Sequence, residues 1–354
     1  MLFSIDEDIG GRIEGWVMPD NPTVVPRIIV HVDADNHVAI DAFVYRPLLK
    51  QQGLHNTGIC GFVLDENNCR GLTGAGKLEI HDADNNLLIY RRRPDAGLID
   101  KKFFRLEHQL FRSVAVDESF QPHFHMAYPA LELLSEETIR SVLAMPFTSS
   151  IYASGRVFWR VWEPLLRDRG YMVGVLLRDP YLEFAERLLI LKLAGSPQGG
   201  AITETLGPAA EAAAAHLRDV DLRDLSSLDA VLSAAPPELR SILYNPLTYL
   251  LTAQNAFDPP PVPATAVALE SLADMDAVGL RQDTAPFFET LSAMLDIPQS
   301  LPAISLPTST TVVQWANLLR DWPVVQSLIE MDVEVYRTVT GIVERQAGKS
   351  GASA

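Results

Sequence analysis

The chain has 354 residues, 47% of them hydrophobic, and a formal net charge of −16. That is enough apolar material for one large core or two ordinary ones, and two domains are expected. The acidic balance lacks a basic patch to neutralise phosphates, which excludes nucleic acid as an expected partner. No apolar run approaches the roughly 18 residues of a membrane helix, so no transmembrane segment is expected.

The opening MLFSIDED turns acidic at once. A secretory signal has a basic start and an unbroken apolar stretch, so a cytoplasmic location is the expectation. From Arg12 to Arg93 the chain reads as β. RIEGWV, PRIIVHVDA, HVAIDAFVY, GICGFVLD, GKLEIHDAD and NLLIYRRR are short, rich in Val, Ile and aromatics, and separated by Asn, Asp and Pro turns. Partial alternation at this density of turns predicts a small antiparallel β-sandwich over residues 1–94. Cys60 and Cys69, the only cysteines, are expected as free thiols. The segment from Gly71 to Lys77 imitates the start of a phosphate loop. Leu78, however, stands where a hydroxyl residue is needed, and a strand follows where a helix is needed. The segment reads as a hairpin turn, and Arg91-Arg92-Arg93 read as a solvated strand edge.

Beyond Pro94 helical signals take over. They predict an α/β domain over residues 95–346, followed by a disordered tail over 347–354. Ser135 caps a helix ending before Pro146, with Glu136 and Glu137 in its first turn. SSIYAS (Ser149–Ser154) reads as a strand, and Gly155–Gly170 shows helical spacing around Pro164. The continuous apolar run Tyr171–Leu177 predicts a strand covered on both faces. PYLEFAERLLILKLAG predicts the helix after it. Strand, helix, strand, helix implies a parallel sheet flanked by helices. The remainder reads as helices, with one short strand and loop at Asp276–Asp283 and proline-rich breaks at Asp258–Thr265 and Pro298–Pro307.

In such a sheet, ligands bind beyond the carboxyl ends of the strands. Two ends are visible, Ser154-Gly155-Arg156 and Arg178-Asp179-Pro180. Each sets a guanidinium beside a helix N-terminus, an arrangement that suits a phosphate or sulfate oxyanion. The same residues also fit a structural role, with Asp179 as N-cap, Pro180 as first helical residue and Arg178 paired to a carboxylate. Candidate proton acceptors are His108, His123 and His125, with Glu132 and Glu163 as carboxylate alternatives. His123 and His125 lack a third ligand at metal spacing, so no metal is expected.

Four segments in fixed order, LLRDPYLEFAERL, NPLTYLLT, DAVGLRQDTAPFFETLSAMLDI and LIEMDVEVYRTV, resemble bacterial members of the sulfotransferase superfamily. The resemblance covers Ser149 to Val343. It implies a P-loop-like α/β fold, the sulfate donor PAPS, and transfer of sulfate to a hydroxyl of a bacterial surface glycan or its precursor. It further implies donor contacts at Arg178 and Arg156, with Ser154 and Gly155 beside them, and His123 or His125 as base. The chain departs from the family in two places. Glu186 stands where the family has a serine that helps hold a donor phosphate. Val157 and Phe158 follow Gly155-Arg156 where a 5′-phosphate loop needs hydroxyl residues, or else that loop is lost or unrecognisable within Lys101–Tyr128.

These departures give a second reading, a glycan-binding or scaffolding protein of polysaccharide assembly without a donor site. GWVMPDNP, DAFVYRPLLKQQGLHNTGICGF and LEIHDADNNLLIYRR resemble β-sandwich modules fused to bacterial surface-polysaccharide enzymes. Within them Trp16, Tyr45 and Phe62 either stack on sugars or build the core. A nucleotide-sugar enzyme needs an Asp-x-Asp metal site. Asp33–Asp35 and Asp82–Asp84 fall in turns of the sandwich, which ranks that reading lowest. Homo-oligomerisation is left open.

Overall fold

The structure is a computed structural model and describes residues 1–32, 36–94, 97–255, 258, 261–297 and 301–351. Asp33–Asp35 and parts of both proline-rich breaks lie outside the described residues. By contact the chain divides into two units, Met1–Phe103 with Glu118–Ala153, and Phe104–Asp117 with Ser154–Ala354. The boundary drawn at Pro94 from the sequence therefore differs from the contact boundary, because residues 118–153 cluster with the N-terminal strands.

The first unit holds two four-stranded antiparallel sheets. Their strands are β1 (Leu2–Asp8), β2 (Ile13–Met18), β3 (Arg27–His31), β4 (His37–Asp41), β5 (Val44–Tyr45), β6 (Ile59–Leu64), β7 (Leu78–Asp82) and β8 (Leu88–Arg92). The sheet orders are β1-β2-β6-β5 and β4-β3-β7-β8. In β3, Ile28 and Val30 are buried while the residues between and beside them are not, the period-two pattern of a half-buried strand. Phe62 is buried in the core, whereas Tyr45 is 53% exposed. Both cysteines are free and buried. The segment that imitates a phosphate loop is a turn whose Gly71 and Thr73 N–H groups donate to Glu66. Asp82 closes the Asp82–Asp84 turn by accepting from Asn85. Helices α1 (Pro47–Gln51) and α3 (Glu136–Leu143) belong here too, and Ser135 caps α3 by accepting the Thr138 N–H, as expected.

A five-stranded parallel sheet runs in the order β10-β11-β9-β12-β13. It comprises β9 (Lys102–Leu106), β10 (Met126–Tyr128), β11 (Ile151–Gly155), β12 (Tyr171–Leu177) and β13 (Ala277–Leu280). The two strands read from sequence as one β-α-β unit, β11 and β12, are not neighbours, because β9 lies between them. A seven-residue helix, α2 (Val114–Phe120), follows β9.

The second unit is otherwise helical: α4 (Trp159–Asp168), α5 (Pro180–Ala194), α6 (Gly200–Leu206), α7 (Pro208–Ala215), α8 (Leu225–Ser233), α9 (Pro237–Leu243), α10 (Pro246–Thr252), α11 (Ala264–Ala273), α12 (Ala285–Met294), α13 (Thr310–Leu319) and α14 (Pro323–Gly351). Thus α14 continues through Gly351, where a disordered tail was expected from Ala347, and residues 352–354 lie outside the described residues. No described helix is long and apolar enough to cross a membrane. The core of this unit packs Phe184, Leu188 and Leu191 of α5 with Val312, Ala316 and Leu319 of α13. Each large side chain buried this way stabilises the fold by about 1.5–3 kcal/mol.

Two of the sequence segments singled out above meet at the start of α10. Asn245 takes the left-handed conformation, φ 41°, which Asn tolerates better than other residues. Its Oδ1 accepts the N–H groups of Met331 and Asp332 at 2.9 and 3.1 Å. Asp332 returns the contact by accepting the Leu247 and Thr248 N–H groups at 3.0 and 2.8 Å. The α14 backbone leaves helical geometry at Ile329, just before these contacts. Asn245→Ala should cost about 2–4 kcal/mol, from left-handed strain and from one buried and one part-buried N–H group left without an acceptor. Urea unfolding midpoints measure this, and a loss within error of zero refutes the account.

Candidate functional site

The carboxyl end of β9 opens into the loop Glu107–Ser113, which leads to α2. Loop N–H groups at such a strand-to-helix junction are the usual cradle for an anion. Here they bond to the protein's own acids. Glu107 folds back over its own loop, accepting the Gln109 and Ser113 N–H groups at 3.0 Å each. Glu183, from α5, accepts the Leu110 N–H at 3.1 Å.

Arginines compensate these acids. Arg105, fully buried within β9, donates to Glu107 at 2.8 Å and to Asp117 at 2.7 Å. Arg187 donates to Glu183 at 2.7 Å, to the Ile242 carbonyl at 2.9 Å, and to the His108 carbonyl. Burial alone would push the Glu183 carboxyl up, but Arg187, His108 and Arg178 around it hold it down at about 2. Burial raises Glu107 in the same way, and Arg105 with the Ser113 N–H lowers it below the ordinary range.

The residues singled out from sequence fall around this loop. Arg156 donates to the carbonyls of Gln109 and Leu110 at 3.4 and 2.9 Å. Ser154 donates to Asp117 at 2.6 Å, and the Gly155 carbonyl accepts the Glu107 N–H at 3.0 Å. Arg178 faces Glu186 with both terminal nitrogens and also reaches Glu183 at 3.4 Å. Asp179 caps α5 by accepting the Tyr181 and Leu182 N–H groups, and Pro180 takes the first helical turn. The structural role open to these residues is therefore realised in full. Glu186 is the partner of Arg178.

Among the histidines, His108 is fully buried, and that burial lowers its pKa against the pull of Glu183 and Glu107. Its Nε2 lies 3.1 Å from the Leu176 carbonyl, to which it donates. His123 and His125 belong to the first unit. Burial, then Arg93, lowers the His123 pKa. The Nε2 of His125 donates to the Arg91 carbonyl at 2.7 Å, and Arg91 donates to the His125 carbonyl at 3.0 Å. Glu163 pairs with Arg160 and Arg167 on α4. No cluster of metal-ligating side chains occurs among the described residues.

His125 also lines a cleft of about 920 Å³ in the first unit, together with Arg91, Arg92, Arg93 and the aromatic pair Tyr90–Phe147. The three arginines are not a plain solvated edge. Arg92 donates to Asp8 and to the carbonyls of Gly10, Leu72 and Ala75, Arg91 donates to Glu79, and Arg93 to the carbonyls of Pro122 and Phe124.

The chain matches no protein-family model and no curated protein.

Sequence reasoning missed Arg105, Glu107, Asp117, Glu183 and Arg187. A signal was present for one pair only, since Glu183 and Arg187 are one helical turn apart. Glu183→Gln should cost about 3–5 kcal/mol at neutral pH, because Arg178 and Arg187 stay buried with one counter-charge fewer. The Glu183 pKa is depressed on folding, so its contribution is complete above the ordinary value of 4.5 and is lost as pH falls toward about 2. The stability gap between wild type and variant should close across that window in urea titrations. A gap that stays constant with pH refutes the assignment.

Proposed function

We propose that the chain is a sulfotransferase-like α/β protein of bacterial surface-polysaccharide assembly in which two glutamates occupy the donor-phosphate position. It would bind or scaffold a glycan without consuming PAPS. The loop Glu107–Ser113 carries this reading, because its Gln109, Leu110 and Ser113 N–H groups donate to Glu107 and Glu183. A phosphate entering there has to displace carboxylates that arginines hold in place. At Arg178, Glu186 already takes the face a second phosphate would use. On this reading the residues present do not fit PAPS, and no transfer step is assigned to them.

The strand order supports the P-loop-like assignment. β9 comes first in the sheet's chain order yet lies at its centre, with β10 and β11 on one side and β12 and β13 on the other. The strand order reverses direction there, and open α/β sheets place their ligands at such reversals. The loops after β9 and β12 are the ones whose backbone and side chains Glu183 joins. For the glycan, support comes from the first-unit cleft. The Tyr90–Phe147 pair offers aromatic faces to a sugar ring, and Arg91, Arg92 and Arg93 line the same cleft.

Calorimetric titration with adenosine 3′,5′-bisphosphate, the desulfated donor, tests the central claim. No saturable heat is expected, and micromolar binding overturns the reading. Retention of acidic bacterial polysaccharides on the immobilised chain tests the glycan part. Phe147→Ala should weaken it, and equal retention by the variant removes the cleft from the reading.

A further inference from the structure

Beside the ion network lies an arginine that makes no hydrogen bond or ion pair with its acids. Arg281 follows β13, and its backbone N–H donates to the Leu177 carbonyl at 2.7 Å. Its side chain makes no hydrogen bond or ion pair with any described residue, and its Nε is buried. Burial, then the charge of Arg178, pushes its pKa down, against the opposing pull of Glu186, Glu183 and Glu107. A guanidinium so placed has acids within electrostatic reach but none in direct contact, so its donors are free for a ligand.

Arg281 lines a cleft of about 500 Å³, within the roughly 300–1,000 Å³ range of small-molecule sites. Of the other charged residues on its lining, Glu186 has both oxygens on Arg178, and Arg112 comes no nearer than 3.8 Å to Asp117. One side of the wall is hydrocarbon, built from Phe111 and the α5 side chains Leu189 and Leu193, and Ser309 and Thr311 also line the cleft. Phe111 and Leu193 remain 41% and 52% exposed. The cleft thus combines a planar cation that has no direct ion pair with an open apolar surface.

We infer that this cleft binds a monoester oxyanion, phosphate or sulfate, carried on a hydrocarbon chain. The Arg281 fork grips the oxyanion, and the outer face of α5 covers the chain. A guanidinium meets two oxygens of such a group at once, and covering the chain contributes about 25 cal/mol per Å² of apolar surface removed from water. The inference goes beyond the proposed function and does not depend on it, because the nucleotide titration and the one below can fail separately.

The full chain is titrated calorimetrically, below micelle-forming concentrations, with decyl phosphate, decyl sulfate, decanol and inorganic phosphate. Saturable binding of decyl phosphate or decyl sulfate is expected, tighter than that of decanol or of inorganic phosphate. The preference between the two esters identifies the oxyanion. Arg281→Met should weaken ester binding by about tenfold or more, the loss of a charge-assisted hydrogen bond, without affecting decanol. Leu193→Glu, at a half-exposed position that tolerates a polar side chain, should weaken the esters as well. If Arg281→Met fails to fold, Leu193→Glu and the decanol comparison decide. Non-saturable uptake, equal affinity for decanol, or unchanged ester affinity in the folded variants overturns the inference.

Discussion

The Glu183 carboxylate holds the polar centre of the second unit together. It stands on α5, accepts a backbone N–H from the loop after β9, takes the Arg187 Nε, and faces Arg178 at the end of β12. A carboxylate taken out of water is costly, and it stays ionised only because three donors from separate stretches of chain converge on it. Arg187 then continues to the carbonyls of His108 and Ile242, so one side chain ties α5 to the β9 loop and to the end of α9.

Such a network specifies position more than it adds stability. Replacing a buried ion cluster by apolar residues of the same volume is often neutral, whereas removing one member leaves a charge without a partner. The arrangement therefore fixes the loop conformation. A phosphate site needs loop N–H groups that point into a space open to a ligand. Here the donors point at acids supplied by the same chain.

The legible parts of the fold were those governed by local patterns. The apolar run Tyr171–Leu177 coincides with β12, Asp179 and Pro180 start α5, and Ser135 caps α3. β9 escaped because Lys102 and Arg105 interrupt its apolar run. Arg105 is buried only because Glu107 and Asp117 receive it, and a period of alternation cannot reveal that. β1 escaped for a related reason, since its acidic residues hide an edge strand that buries little beyond Phe3. At the site, Arg156 and Arg178 were found by their place at strand ends. Their partners were not, because Arg156 bonds to backbone carbonyls of a distant loop, and the five- and eight-residue offsets from Arg178 to Glu183 and Glu186 span a strand end and a helix start that no regular spacing covers. Glu186 was visible as an obstacle to phosphate, and the structure supplies what spacing could not, the guanidinium it neutralises.

The bend in α14 has a consequence for how the C-terminal region is held. Asn245 gives its own N–H to the Leu328 carbonyl and accepts two N–H groups beyond the bend, from Met331 and Asp332. The interrupted helix is thus completed by a residue 86 positions upstream of Met331. The last helix is not a detachable arm stitched on at its base. Separating α10 from α14 would loosen it at its middle, and the portion beyond Ile329 would lose its register while the portion before it stayed packed on α5.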